Sequence, residues 1–256
     1  MKWLPCCLLL IGLSGVRGFA FDLTHARFAA VLTQHVRDGM VNYAAINAAP
    51  GDLDAYLKET AGVAEKEFQS WSRTDQIAFL VNLYNAATIR LIVDNYPVTS
   101  IRRIGGFFGS PWGIECVSLF GKKTTLNYVE HEFLRPKYKE PRVHFALVCA
   151  AKSCPPLRGE PYVGSKLEMQ LVEQGKLFFS QEQKNRFDPV LDTLVLSPIF
   201  NWYEGDFPRD PRALAGFLSP FFPKAEADAL CDGTFRIRYS SYDWSLNDQA
   251  GRDSKR

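Results

Sequence analysis

The sequence predicts an α+β fold, with helices gathered around a small, mainly antiparallel sheet. Three observations carry this. Within a predicted helix over 72–95, residues 77–89 are apolar on nearly every face, and a helix of that kind belongs at the centre of a domain. Short runs of strand character lie among the helical segments without regular βαβ alternation. Hydrophobic content of 46% and charge of 23% over 256 residues describe an ordinary globular chain long enough for a sizeable core.

The chain opens on what reads as a secretory leader over residues 1–20. Lys2 gives a positive start, residues 8–13 a short apolar run, and Gly18 and Ala20 small residues for cleavage. Cys6 and Cys7 fall inside it. The run is too short to span a bilayer, and no later stretch reads as a membrane helix. The expected location is therefore secreted or periplasmic. Net charge is 30 − 28 = +2. Losing Lys2 and Arg17 with the leader brings it to about zero, so the charge balance offers nothing to nucleic acid or to an anionic membrane surface. Residues 21–247 read as one domain without repeat or linker, and 248–256 as a disordered polar tail.

In chain order, residues 21–39 predict a first helix, with Phe28, Val31, Leu32 and His35 at helical spacing and Gly39 just past its end. Residues 40–43 suggest a short strand and 51–60 a short helix. The central helix over 72–95 has Ser72 or Thr74 as cap, Asp75 in its first turn and Pro97 as its stop. Asn82 and Asn85 lie on one side of it. An unpaired buried amide costs roughly 1–3 kcal/mol, so each must either bind neighbouring loop backbone or face a site. Residues 104–112 form a glycine-rich loop with Phe107, Phe108 and Trp112. It lacks P-loop spacing and suits the border of a cleft. Residues 115–119 and 123–126 read as a hairpin around Gly121. Asn127 then opens a helix that carries Glu130 and His131 and stops at Pro136. Asn127 and Glu130 have capping-box spacing, so Glu130 is either a cap or a cleft residue. Ser165 caps a helix over 166–180, 193–196 is a strand, Ser197-Pro198 and Asp210-Pro211 start helices, and 235–239 is a late strand.

Residues 142–157 concentrate the reactive chemistry: one of four histidines and two of six cysteines. They read as a buried strand running into a small-residue loop. On the strand, His144 shares a face with Ala146 and Val148. Cys154 follows ten positions later, close enough for the loop to return its thiol to the imidazole. The thiolate is the nucleophile, and an imidazolium or a helix N-terminus would activate it. Glu130, Asn82, Asn85 and Asp243 are the candidates to orient the imidazole, and His131 is the competing base. Backbone N–H groups around Ser153 and Cys154 could hold an oxyanion. The alternative is a Cys149–Cys154 disulfide or two buried thiols. A redox role for that pair ranks lower, because its spacing departs from CxxC. No cysteine or histidine spacing suggests a metal site, and no cofactor is expected.

The words Phe79-Leu80-Val81-Asn82-Leu83-Tyr84-Asn85-Ala86, Val129-Glu130-His131-Glu132-Phe133-Leu134-Arg135, Arg142-Val143-His144-Phe145-Ala146-Leu147, Ser153-Cys154-Pro155-Pro156-Leu157, Leu196 through Tyr203 and Tyr242 through Asn247 resemble, in order, the bacterial domain of unknown function 547. The resemblance implies similarity to papain-like and transglutaminase-like thiol enzymes in circularly permuted form. It further implies Cys154 as nucleophile, His144 or His131 as base and Glu130 as orienter. The expected activity is an exported thiol hydrolase or transferase acting on an amide, in a peptide or a glutathione-like thiol peptide. Asn82, Asn85, Trp112, Ser153 and Asp243 are the expected substrate contacts. The competing expectation is a non-catalytic periplasmic binding or scaffolding domain whose cleft is lined by Phe107, Trp112, Trp202 and Trp244.

Overall fold

The computed structural model describes residues 20–106 and 109–250. Residues 1–19 of the expected leader, Phe107 and Phe108, and residues 251–256 lie outside that range.

Helix α1 (Ala26–His35) is shorter than expected at both ends. Asp22 accepts from the Thr24 and Ala26 N–H groups ahead of it. Beyond it, strands β1 (Val36–Arg37) and β2 (Met40–Val41) pair antiparallel. Asp38 (φ 50°) and Gly39 (φ 76°) form the tight turn between them, so Gly39 serves a hairpin and not a helix end. A Cβ on Gly39 would meet the Pro156 Cβ at 2.5 Å, which shows how closely this hairpin packs on the loop after Cys154.

Helices α2 (Tyr43–Ala48), α3 (Gly51–Ala61) and α4 (Glu65–Ser70) lead to the central α5 (Arg73–Asp94). The sequence missed α2, which Asn42 caps by accepting from the Ala45 N–H. Ser72 caps α5 as expected, accepting from the Asp75 N–H at 3.1 Å. By length and hydropathy α5 could cross a bilayer, contrary to the sequence reading, but 94% of its apolar window is buried. It is the core helix of this fold.

Strands β3 (Val117–Leu119) and β4 (Lys122–Thr124) form the expected hairpin around Phe120-Gly121. Next comes a π-helix, Tyr128–Leu134, continued directly by α6 (Arg135–Tyr138). Pro136 does not stop this helix. It sits in the first turn of α6, where its missing N–H is tolerated. Nor does Asn127 cap it: the Tyr128 N–H donates to Thr125 Oγ1 instead, at 3.0 Å.

The expected strand around His144 is a single helical turn, α7 (Val143–Ala146). Val143 and Ala146 pack into the larger hydrophobic cluster, and Phe145 into a second, C-terminal one. Side chains directed to several sides suit a helical turn and not the two faces of a strand.

Helix α8 (Leu167–Phe179) follows a 3₁₀ turn, Gly164–Lys166, and Ser165 does not cap it. The rest comprises β5 (Arg186–Asp188), β6 (Thr193–Leu196), α9 (Ile199–Trp202), α10 (Pro211–Leu218), α11 (Lys224–Asp232) and β7 (Arg236–Tyr239). The β5–β6 pair is antiparallel and β6–β7 parallel. With its many helices and small, mostly antiparallel sheets, the fold is α+β.

Residues 242–247 are tied down. Lys152 and Ser153 N–H groups donate to Ser245 O and Asp243 O, and the Asn247 N–H to Ala150 O. Residues 248–250, expected in a disordered tail, are held too: Tyr96 donates to Asp248, and the Gln249 side chain to His35 O and Met40 O.

Candidate active site

A cavity of about 320 Å³ is lined by Glu130, His131, His144, Cys149 and Cys154, with an aromatic wall of Tyr84, Trp112, Trp202, Tyr203, Tyr242 and Trp244. Five sequence-predicted residues (Cys154, His144, Glu130, His131 and Trp112) meet there. So do Trp202 and Trp244 of the expected cleft. Asn127 also lines it, its side chain freed from capping.

The other four predicted contacts do not line it. Asn82 and Asn85 are fully buried in α5 and bind loop backbone. Asn82 donates to Tyr162 O and accepts from the Tyr162 N–H, at 2.7 and 2.9 Å. Asn85 donates to Ala146 O and accepts from the Val148 N–H, both at 2.9 Å. Asn85 thereby fixes the chain between His144 and Cys149. Ser153 and Asp243 bond each other across two loops, the Asp243 N–H donating to Ser153 Oγ at 2.8 Å. The Ser153 and Cys154 N–H groups donate to Asp243 O and Ala151 O, so neither is free to form the expected oxyanion hole.

His144 is 3% exposed, and its Nε2 lies 2.7 Å from Asp206 Oδ2. That Nε2–H donates to the carboxylate, which leaves Nδ1 as the basic nitrogen. The Tyr203 ring packs on the imidazole with centroids 4.1 Å apart. The carboxylate bonded to this imidazole is Asp206, a residue outside the four sequence candidates. The same oxygen accepts from Arg135 Nε at 2.5 Å. Burial opposes the charge on Asp206, but its bonds and charge attraction to His144 and Arg135 outweigh this and hold its carboxyl well below the usual range. His131 is exposed, and its Nδ1 lies 2.6 Å from Arg135 Nη1. With Nδ1 accepting from the guanidinium, the ring proton of neutral His131 sits on Nε2.

Cys149 and Cys154 form a disulfide, the alternative that the sequence left open, while Cys116 and Cys231 are free. Two donors converge on Cys154 Sγ: the Cys149 N–H at 3.0 Å and the Tyr242 O–H at 3.2 Å. Lys184 lies behind, donating to Cys154 O at 2.6 Å, with burial pushing its ammonium down to about 8. Tyr84 and Tyr203 are raised first by burial and then by the charge of Glu130 and hydrogen bonds to it. Glu130 therefore sits among phenol donors and does not cap its helix. Among the described residues no group of three or more His, Cys, Asp or Glu is placed to hold a metal ion.

Residues 68–179 match the family described as protein of unknown function, DUF547, and the chain resembles that family. The matched segment contains α5, the π-helix, α7 and both disulfide cysteines, but not Trp202, Tyr203, Asp206, Tyr242 or Trp244. No curated protein and no solved structure matches the chain.

Proposed function

We propose that the protein is a thiol-dependent hydrolase or transferase of a small amide, with the disulfide as its resting form. A thiol reductant opens Cys149–Cys154 and leaves two thiols. His144, with its Nδ1 lone pair, takes the Cys154 proton, and the thiolate keeps the Cys149 N–H and Tyr242 O–H as donors. The thiolate attacks the amide carbonyl. The C–N bond then breaks, His144 returns the proton to the departing amine, and a thioester remains on Cys154. Water completes hydrolysis; an acceptor amine or thiol completes transfer. Asp206 holds the imidazole and stabilises the imidazolium, as an orienting carboxylate does in a triad.

The observation that carries this reading is one shared cavity: a carboxylate-held imidazole and a sulfur with two hydrogen-bond donors both line it. The test is acylation of the reduced protein by p-nitrophenyl acetate, followed by intact mass and peptide mapping. An acetyl adduct on Cys154 that is absent in Cys154→Ser and slowed in His144→Ala supports the proposal. Equal labelling of the free Cys116 and Cys231, or no adduct on reduced Cys154, sinks it.

A second reading, a non-catalytic binding domain, draws on the disulfide itself, since Cys154 has no free thiol while the bond stands. It predicts the same ligand affinity before and after reduction and no adduct. Export is part of the proposal, because an oxidising compartment would preserve the resting disulfide.

A further inference from the structure

The cavity that would hold the amide has an unusual charge pattern. Glu130 is 4% exposed and opens into it. Its contacts are neutral phenols, Tyr84 and Tyr203. Among the described residues no lysine or arginine forms an ion pair with it. Arg135 feels the charge of Glu130 but makes its bonds to Asp206 and His131. Lys184 is bonded to Cys154 O and does not line the cavity. His131 and His144 each have one ring nitrogen occupied, by Arg135 and Asp206.

Buried acidic groups are commonly paired as well as hydrogen-bonded, and a cation bound in the cavity would give Glu130 the ion pair that no lysine or arginine makes with it. The surrounding wall suits that cation. Trp202 and Trp244 stack with centroids 5.6 Å apart, Trp112 meets Trp244 edge-on at 5.9 Å, and Tyr242 packs on both Trp202 and Trp244. Aromatic faces attract ammonium groups, most strongly where water is excluded. Arg102 already sits 5.2 Å from the Trp244 ring centroid, outside the cavity lining, so this ring system takes a cation on one side within the molecule.

We infer that the cavity recognises an ammonium group, seated between Glu130 and the tryptophan wall. Resting on the acyl-transfer reading above, the substrate is an amide that carries a free amino or methylated ammonium group. The volume of about 320 Å³ lies at the small end of ligand pockets and limits it to aminoacyl or dipeptide size.

The experiment uses the oxidised protein, in which Cys149 and Cys154 are joined and Cys154 cannot be acylated, and follows its tryptophan fluorescence. Two cation and neutral pairs are titrated: choline against 3,3-dimethylbutan-1-ol, and glycinamide against acetamide. At least one cation is expected to bind about tenfold or more tighter than its neutral partner. Glu130→Gln, checked for folding by circular dichroism, is expected to erase that preference. Trp202→Ala is a second variant at a half-exposed position, and it should weaken the cation more than the neutral compound. Neutral partners that bind as well as both cations, or no saturable cation signal, overturn the inference and leave the acylation chemistry untouched. Cation binding without an acetyl adduct on the reduced protein removes the catalytic reading and leaves the ammonium site standing.

Discussion

Asp206 accepts from His144 and Arg135 through one oxygen, which gives the imidazole a fixed tautomer and a fixed plane. Asp206→Asn keeps the size of the side chain but can present its NH₂ to Nε2. His144 then favours the tautomer with the proton on Nδ1 and loses its base. Acylation of reduced Cys154 is expected to fall roughly 10²–10⁴-fold, by analogy with the loss of an orienting carboxylate in a triad. Stopped-flow release of p-nitrophenolate checks this, and an unchanged rate would remove Asp206 from the mechanism. A second residue-scale expectation concerns His25, away from the cavity. It is 2% exposed and bonded to Tyr56, and burial pushes its imidazole down to about 4 from an unfolded value near 6.5. The unfolded chain therefore binds more protons between those values, and stability falls as pH drops through that window. At about 1.4 kcal/mol per pH unit, the loss is roughly 3 kcal/mol. His25→Phe, which cannot take up a proton, should flatten that part of the profile in urea titrations at pH 7 and pH 4.5. A variant with the same slope as the parent would assign the pH dependence elsewhere.

At the scale of elements, α5 matters through its two amides. Asn85 satisfies Ala146 O and the Val148 N–H, the backbone that joins His144 to Cys149. Asn85→Ala would leave both groups buried and unpaired, at about 1–3 kcal/mol each. A destabilisation of about 2–4 kcal/mol is expected in urea unfolding. Slower acylation of Cys154 should accompany it under conditions where the variant stays folded. A fully stable variant would show that water replaces the amide and that the loop does not depend on it. The same elements mark what a sequence discloses. The α5 helix was legible because its signals are local: a serine cap, an acidic first turn and an uninterrupted apolar run. His144 was placed on a strand because a short apolar run reads alike in a strand and in a buried helical turn. The π-helix has no sequence period of its own, and Pro136 misled because its position within the next helix decides its effect. In the site, Cys154, His144, Glu130 and His131 stood out by chemistry and neighbourhood. Asp206 did not: its bond to His144 spans 62 positions, and a Glu-Gly-Asp segment looks like any polar turn. Asn82, Asn85, Ser153 and Asp243 share the polar types of a binding site but serve the backbone around it, a distinction that only packing reveals.

At the scale of the molecule, the cavity is built from segments far apart in the chain. Residues 68–179 supply the disulfide, Glu130, His131, His144 and Trp112, while later residues supply most of the aromatic wall and Asp206, which bonds His144 without lining the cavity. The parts meet at Asn247. Its N–H donates to Ala150 O, its carbonyl accepts from the Val41 N–H, and its side chain accepts from Tyr43 and donates to Gly39 O. One residue thus joins the N-terminal hairpin, the cysteine loop and the segment that carries Tyr242 and Trp244. Asn247→Ala leaves the backbone bonds in place but strands the buried Tyr43 hydroxyl, at about 1–3 kcal/mol. Because that segment forms one wall of the site, the loss should act there first. In the parent protein, far-ultraviolet circular dichroism and tryptophan fluorescence are expected to share one urea midpoint, as in a two-state transition. In Asn247→Ala the fluorescence transition should move to lower urea than the loss of helix, with Trp202 and Trp244 exposed while α5 remains folded. Coincident transitions in the variant would mean that the closing segment and the core unfold as one unit, and that the site has no looser wall through which a substrate could enter.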